Sequence, residues 1–368
     1  MSFESGSVSF RFMELPHAFP KDALALFAEH AAPALETTGA SVVRGWVTGR
    51  HLLDTKIDEE TAQLGGYYRL QLRESVRKVP AGYLKAECKM EELATLAALG
   101  RAFLKAPERA EIRAGVLERL LPNMPPQIKA YPFVYGPGED HLFASVGSDN
   151  AFDALNGLLR ETLGFSADAG DPVVLAERLR RVDVREWEGT SFSPEMKDEA
   201  LVPAPGREFL TWLWFRAETG DGQVKLSDGS ELGVLLEGPL AFVNEGNGAH
   251  TVTLRNGAPE VGAETKACLL AGKTLASARL TFAADADTAW RFHFDADRFA
   301  FRSLSLPKGE AQLDAASRFR ERMEFLERWR GLFLDLYGSF IDLRENHGAW
   351  NRTVRAMREW VGSRTARR

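Results

Sequence analysis

The sequence predicts an α+β protein: antiparallel sheets, a helical hairpin projecting from them, and further helices at the C-terminus. Three observations carry that expectation. Alternating apolar and polar residues mark strands within the first 76 residues and again between residues 223 and 307. Residues 80–122 read instead as helix, break, helix. From about 311 to 345 the apolar positions Phe319, Met323, Leu326, Phe333, Leu336, Phe340 and Leu343 follow the 3.6-residue repeat of a helix that buries one face.

Taken in order, "SVSFRFME" (7–14) reads as a strand, "KDALALFAEHAAPAL" (21–35) as a helix and "ASVVRGWVTG" (40–49) as a second strand. "GGYYRLQLRES" (65–75) is a third, with Tyr67, Arg69, Gln71 and Arg73 on one face. Pro80 suits the first turn of the following helix, where a missing N–H does no harm. "AGYLKAECKMEELATLAAL" and "RAEIRAGVLERLLP" are the two arms of the hairpin, and "GRAFLKAPE" is the bend between them. Each arm is only thinly apolar, which favours projection from the body over burial.

"NMPP" (123–126) cannot be helical. "IKAYPFVY" and "DHLFASVG" form a strand pair across "GPGED", and "SDNAFDALNGLLRETLG" (148–164) opens on an N-cap serine and stops at Gly164. A helix over 172–182, a surface connection over 193–206 and a buried helix over 207–218 follow. Strands are expected over 223–246, 249–257, 274–285 and 289–307, with a short helix over 264–273. An arginine-rich helix over 350–361 closes the chain. Three regions result: 1–165 with the hairpin 80–122, a strand-rich second region 166–308, and the C-terminal helices 309–368.

The formal net charge is −6, which argues against a surface that is basic throughout but not against a basic patch. Charge is in fact uneven. Residues 318–368 hold twelve arginines against seven acidic residues, an excess of five that leaves the first 317 residues at about −11. No apolar run approaches the ~20 residues of a membrane span, and "MSFESGSVSFRF" lacks the apolar core of a secretory signal. A cytoplasmic location follows as an expectation.

Catalytic signatures are missing. Cys88 and Cys268 are too few for a disulfide framework or a zinc site and lack the basic neighbours that mark a nucleophile. No phosphate loop, nucleophile elbow or metalloprotease helix occurs. His293, Asp295 and Asp297 in "RFHFDAD" would share one face of a strand, a plausible start for a metal site, but no fourth ligand is placed and an ordinary half-exposed strand reads the same. The tryptophans of "TWLWF" could stack on bases, but Phe209, Leu210 and Leu213 around them favour burial. No catalytic residue, metal or cofactor is therefore expected, and an enzyme is the least favoured reading.

One stretch calls for another explanation. "LRESVRKVPAGYLKAECKMEE" (72–92) sets Arg73, Arg77 and Lys78 together at a strand-to-helix junction of an acidic chain. Such charges are usually just solvated, and Arg73 or Arg77 could pair with Glu74 or Glu87. The order of elements adds a second view. "GWVTG" after the first helix, "RESVRKVP" entering the hairpin, "VLERLLP" ending its second arm and then "SDNAFDALNGLLRETLG" resemble the RdgC family of recombination-associated DNA-binding proteins. "LLAGKTLASARLTF" and "WRFHFDADRFAFRSL" are similar to that family's Ala-Gly-Lys segment and the strands after it. The resemblance covers about 1–165 and 264–307; residues 170–260 look enlarged, and the helices from 311 are extra.

That resemblance implies a homodimer closed into a ring, which encircles double-stranded DNA with little sequence preference, meets a RecA-type recombinase and is nucleoid-associated. It implies that Arg73, Arg77, Lys78, Lys85 and Lys89 face the hole. Lys273 corresponds to the Ala-Gly-Lys lysine, and Arg255 is what remains of a basic run in "LRNGAPE". The hairpin tip, which in the family can hold a basic residue and an aromatic after Leu-Leu-Pro, here reads Asn123 and Pro125. The alternative function is a protein-interaction or assembly factor on the same scaffold without DNA binding.

Overall fold

β1 (Val8–Glu14) organises the molecule, because it is bonded on both sides and its two faces enter different cores. The computed structural model describes residues 3–193, 201–244, 250–255, 262–310 and 312–363. After β1 come α1 (Ala23–Glu29), β2 (Val43–Thr48), α2 (Glu59–Ala62), β3 (Gln63–Leu64) and β4 (Tyr67–Val76). The hairpin arms are α3 (Ala81–Leu99) and α4 (Ala106–Leu120). β5 (Gln127–Tyr135), β6 (His141–Ala144), α5 (Asp149–Leu163), β7 (Asp168–Ala169) and α6 (Pro172–Arg180) follow. Then come α7 (Pro205–Thr219), β8 (Gln223–Lys225), β9 (Glu231–Asn244), β10 (His250–Leu254), α8 (Ala263–Leu270), β11 (Thr274–Ala283), β12 (Ala289–Asp295) and β13 (Ala300–Ser305). α9 (Ala315–Glu345) and α10 (His347–Gly362) end the chain. The fold is α+β, with one large antiparallel sheet and C-terminal helices.

The strands run in the order β10-β9-β11-β12-β13-β1-β6-β5-β4-β2, with β3, β7 and β8 as short additions. Consecutive pairs in this path are antiparallel. β1 lies between β6 and β13, so the first two regions read from the sequence share a single sheet, and the C-terminal helices pack on it. Val8, Phe10 and Phe12 point into one core with Phe143, Phe292, Phe294 and Phe301, and Met13 points into the other. Its one face, Val8, Phe10 and Phe12, is apolar, whereas the other carries Ser9 and the buried Arg11, which pairs with Asp149 at 3.1 Å, before Met13.

The larger core is roofed by α9. Its stripe of Phe319, Met323, Leu326, Trp329, Phe333, Leu336, Phe340 and Ile341 is buried against the sheet and α7, each such side chain stabilising by about 1.5–3 kcal/mol. α7 approaches closely at Gly206, where an added Cβ would lie 1.9 Å from the Ala296 carbonyl oxygen. Trp212 and Trp214 are buried in this core, which removes them as a stacking platform. The smaller core, beneath α1 and α5, contains Phe27, Trp46, Phe133 and Leu155. Ser148 caps α5 through a bond from the Ala151 amide, and Gly164 ends it in the left-handed region at φ 81°, as the sequence predicts.

Three expectations need correction. The helix expected over 21–35 ends at Glu29, because the next residues pair with β2: Trp46 donates to the His30 carbonyl (2.9 Å) and Ala32 to that of Trp46 (2.8 Å). The stretch 289–307 is two strands, turned back on themselves at residues 296–299. The Leu-Leu-Pro segment is not the hairpin tip. The bend between α3 and α4 is at residues 100–105, and Leu121–Asn123 is a 3-10 turn at the hairpin's base. Residues 194–200 of the expected surface connection lie outside the described residues.

Candidate nucleic-acid interface

α3 and α4 pack chiefly on each other around a small core of Leu84, Val116 and Leu120. A second apolar stripe on α3 has no cover: Tyr83, Met90 and Leu93, spaced for one helical face, are exposed, as are Leu99 and Phe103 near the bend. The groove between the arms is lined by Glu91, Glu108 and Glu111 together with Arg119. Its acidic lining makes it a poor seat for phosphate.

The seven basic residues expected to touch DNA separate into three groups. Arg73 and Arg77 are structural. Arg73 is buried and donates to the backbone carbonyls of Leu52 (3.2 Å) and Pro33, and burial lowers its pKa from the usual arginine value. Arg77 donates to the carbonyls of Thr38 (2.8 Å), Pro122 (3.2 Å), Leu35 (3.5 Å) and Met124. It ties the end of β4 to the base of the hairpin, so neither guanidinium is free for a phosphate. Their carboxylate neighbours have other partners: Glu74 pairs with Arg44 (2.8 Å) and Glu87 with Arg119 (3.3 Å).

The second group stands in solvent. Lys78, Lys85 and Lys89 are exposed, the last two one turn apart on α3. Lys89 reaches Glu92 at 3.7 Å; Lys78 and Lys85 have no hydrogen bond or ion pair to a described residue. The third group, Arg255 and Lys273, is at the other end of the sheet. Lys273 meets His250, the first residue of the edge strand β10, while Arg255 is exposed just after its last. Five residues of extended chain, roughly 17 Å, separate those two ends. From β10 to β4 there are eight strand spacings, roughly 40 Å along the sheet. The fold therefore holds the lysines of α3 and the pair around β10 far apart.

Between them the structure brings together a set the sequence reading did not single out. Arg279, His293 and Arg302 are registered neighbours on β11, β12 and β13, and Arg291 is two residues from His293 on the same face. All three arginines are exposed. They line an open depression of about 590 Å³ with His293, Ser303 and Ser305. The acids nearby are few: Asp295 lies 3.5 Å from Arg302 and Glu237 3.7 Å from Arg291. Burial, and then Arg302, press the His293 pKa below its ordinary value. Its Nδ1 is buried with no hydrogen-bond partner among the described residues.

The same geometry answers the metal question at "RFHFDAD". Asp297 is off the strand and holds Arg207 at 2.6 Å, and Asp295 faces Arg302, so the three side chains do not converge. Another cluster, Glu139, Asp140 and His141, has the right donor types. There Glu327 takes His141 Nε2 (3.0 Å) and Arg178 takes Asp140 (3.6 Å), an ion-pair network in place of a ligand set. No helix among the described residues is long and apolar enough to cross a membrane. In comparisons with known proteins, no family model matches the chain and no curated protein matches it.

Proposed function

We propose that this protein is a non-enzymatic, sequence-independent double-stranded DNA-binding protein acting as a homodimer, with the RdgC-like modulation of RecA-type strand exchange as its role. The observation that carries the reading is the exposure of Lys78, Lys85 and Lys89 along the route from β4 into α3, beside the order of motifs that resembles that family. An acidic chain can hold a polyanion when its cations are gathered on one wall and its acids are elsewhere. The uncovered stripe of Tyr83, Met90 and Leu93 supports self-association through the hairpin, since exposed contiguous apolar side chains mark interaction surfaces.

The test is binding to several duplexes of unrelated sequence, followed by fluorescence anisotropy. Dissociation constants that agree within a few-fold support the reading. Discrimination above a hundredfold, or no binding, rejects it. A second reading, an assembly factor that binds protein and not DNA, draws on the same apolar stripe; it predicts association without any duplex affinity.

A further inference from the structure

The arginines of the sheet face form a compact array. Neighbouring strands lie about 4.8 Å apart and alternate residues of a strand about 6.8 Å apart. Arg279, His293, Arg302 and Arg291 therefore occupy a patch roughly 10 Å by 7 Å. Arg279 is registered between His293 on β12 and Glu237 on β9, and among the described residues Asp295 and Glu237 are the acids that approach the array, at 3.5 Å from Arg302 and 3.7 Å from Arg291. Arg279 makes no hydrogen bond or ion pair with any described residue. A β-bulge adds to the array: between the pairs His293↔Arg302 and Arg291↔Ser305, β13 carries one extra residue. Ser303 sits there in the left-handed region at φ 52°, so that Arg302 and Ser303 are both exposed.

The shape is that of a path. The depression beside these arginines shares Arg302 with a second one of about 270 Å³, lined by Ser9 and Ser145. That one shares Ala130 and Pro132 with a third of about 240 Å³ beside Gln71. The aromatic ring in the first depression, Phe292, belongs to the core, so the patch offers guanidinium forks and hydroxyls but no stacking platform.

From this we infer that the open face of β11, β12 and β13 holds the phosphate backbone of duplex DNA, with Arg279, Arg291 and Arg302 as the phosphate ligands. The assignment rests on the DNA-binding reading above and locates its contact surface. It lies between the α3 lysines and β10 along the sheet, and contact through backbone alone gives binding without sequence preference.

The experiment compares three full-length proteins on one random-sequence duplex across a salt series: wild type, Arg279→Glu with Arg302→Glu, and Lys78→Glu with Lys85→Glu. Thermal melts check that the exposed substitutions leave the fold intact, and Arg279→Gln with Arg302→Gln repeats the test without charge reversal. The inference predicts more than tenfold weaker binding for both arginine pairs, a salt slope shallower by about two, and a smaller loss for the lysine pair. Wild-type binding with both arginine pairs unchanged overturns the inference and leaves the function standing. Absence of wild-type binding overturns the function and the inference together.

Discussion

Replacing Arg77 with alanine separates a structural clamp from a DNA contact. The side chain reaches four backbone carbonyls on two segments, residues 35–38 and 122–124. Hydrogen bonds from a charged donor contribute about 1.5–3 kcal/mol each when well made. Two of the contacts here are long or partly solvated and the residue is half-buried, so the loss should total about 2–4 kcal/mol. Domains of 150–250 residues lose about 2–4 °C of Tm per kcal/mol and longer chains somewhat less, which gives a fall of about 4–8 °C. Thermal unfolding followed by circular dichroism measures it, and hydrogen exchange should rise first at the Leu121–Asn123 turn. Lysine at this position should rescue little, because a single ammonium cannot reproduce the fork. Below its Tm the variant should bind duplex DNA within about threefold of wild type. An unchanged Tm with a tenfold loss of DNA affinity would refute the clamp.

Other outcomes follow from named contacts. Thr162→Val removes the acceptor of the buried Trp46 indole N–H (2.7 Å) and should cost about 1–3 kcal/mol; a denaturant midpoint within error of wild type contradicts it. Met90→Glu with Leu93→Glu places charge on the uncovered stripe of α3 and should convert a dimer to monomer by light scattering while leaving Tm within a few degrees. Burial, with Arg302 and Arg279 beside it and against the opposing pull of Asp295, presses the pKa of His293, which shares its face with Arg291, below the ordinary value. Its folded pKa is below the unfolded value of about 6.5, so the unfolded chain binds more protons and stability falls as pH drops below that value. The urea midpoint should drop between pH 7.5 and 5.5, and His293→Asn should reduce the drop. An equal drop in the variant would show that His293 does not contribute.

How much the sequence disclosed depends on the range of the interaction. α9 and α5 were legible because periodicity and caps are local: the stripe from Phe319 to Phe340, Ser148 and Gly164 need no distant partner. The hairpin and its bend at "GRAFLKAPE" were legible too, whereas the tip that the family resemblance implied after Leu-Leu-Pro lies at the base. Arg73 shows the limit. Its phase on β4 was right, but the lid formed by Pro33 and Leu52 comes from segments 40 and 21 residues away. The array on β11, β12 and β13 was half visible, since "ASARLTF" and "WRFHFD" alternate cleanly. That Arg279, His293 and Arg302 become neighbours depends on strand register, and the bulge at Ser303 then resets which residue of β13 faces Arg291. No single-strand pattern reports that.

The most direct test of the account is the salt dependence of wild-type binding to a random duplex. Each neutralised phosphate contributes about −0.9 to the slope of log K against log salt. Engagement of Arg279, Arg291 and Arg302 with the α3 lysines predicts a slope of about −4 or steeper for each protomer. A slope near zero, with binding that persists unchanged as salt rises, would contradict a basic wall inside an acidic protein.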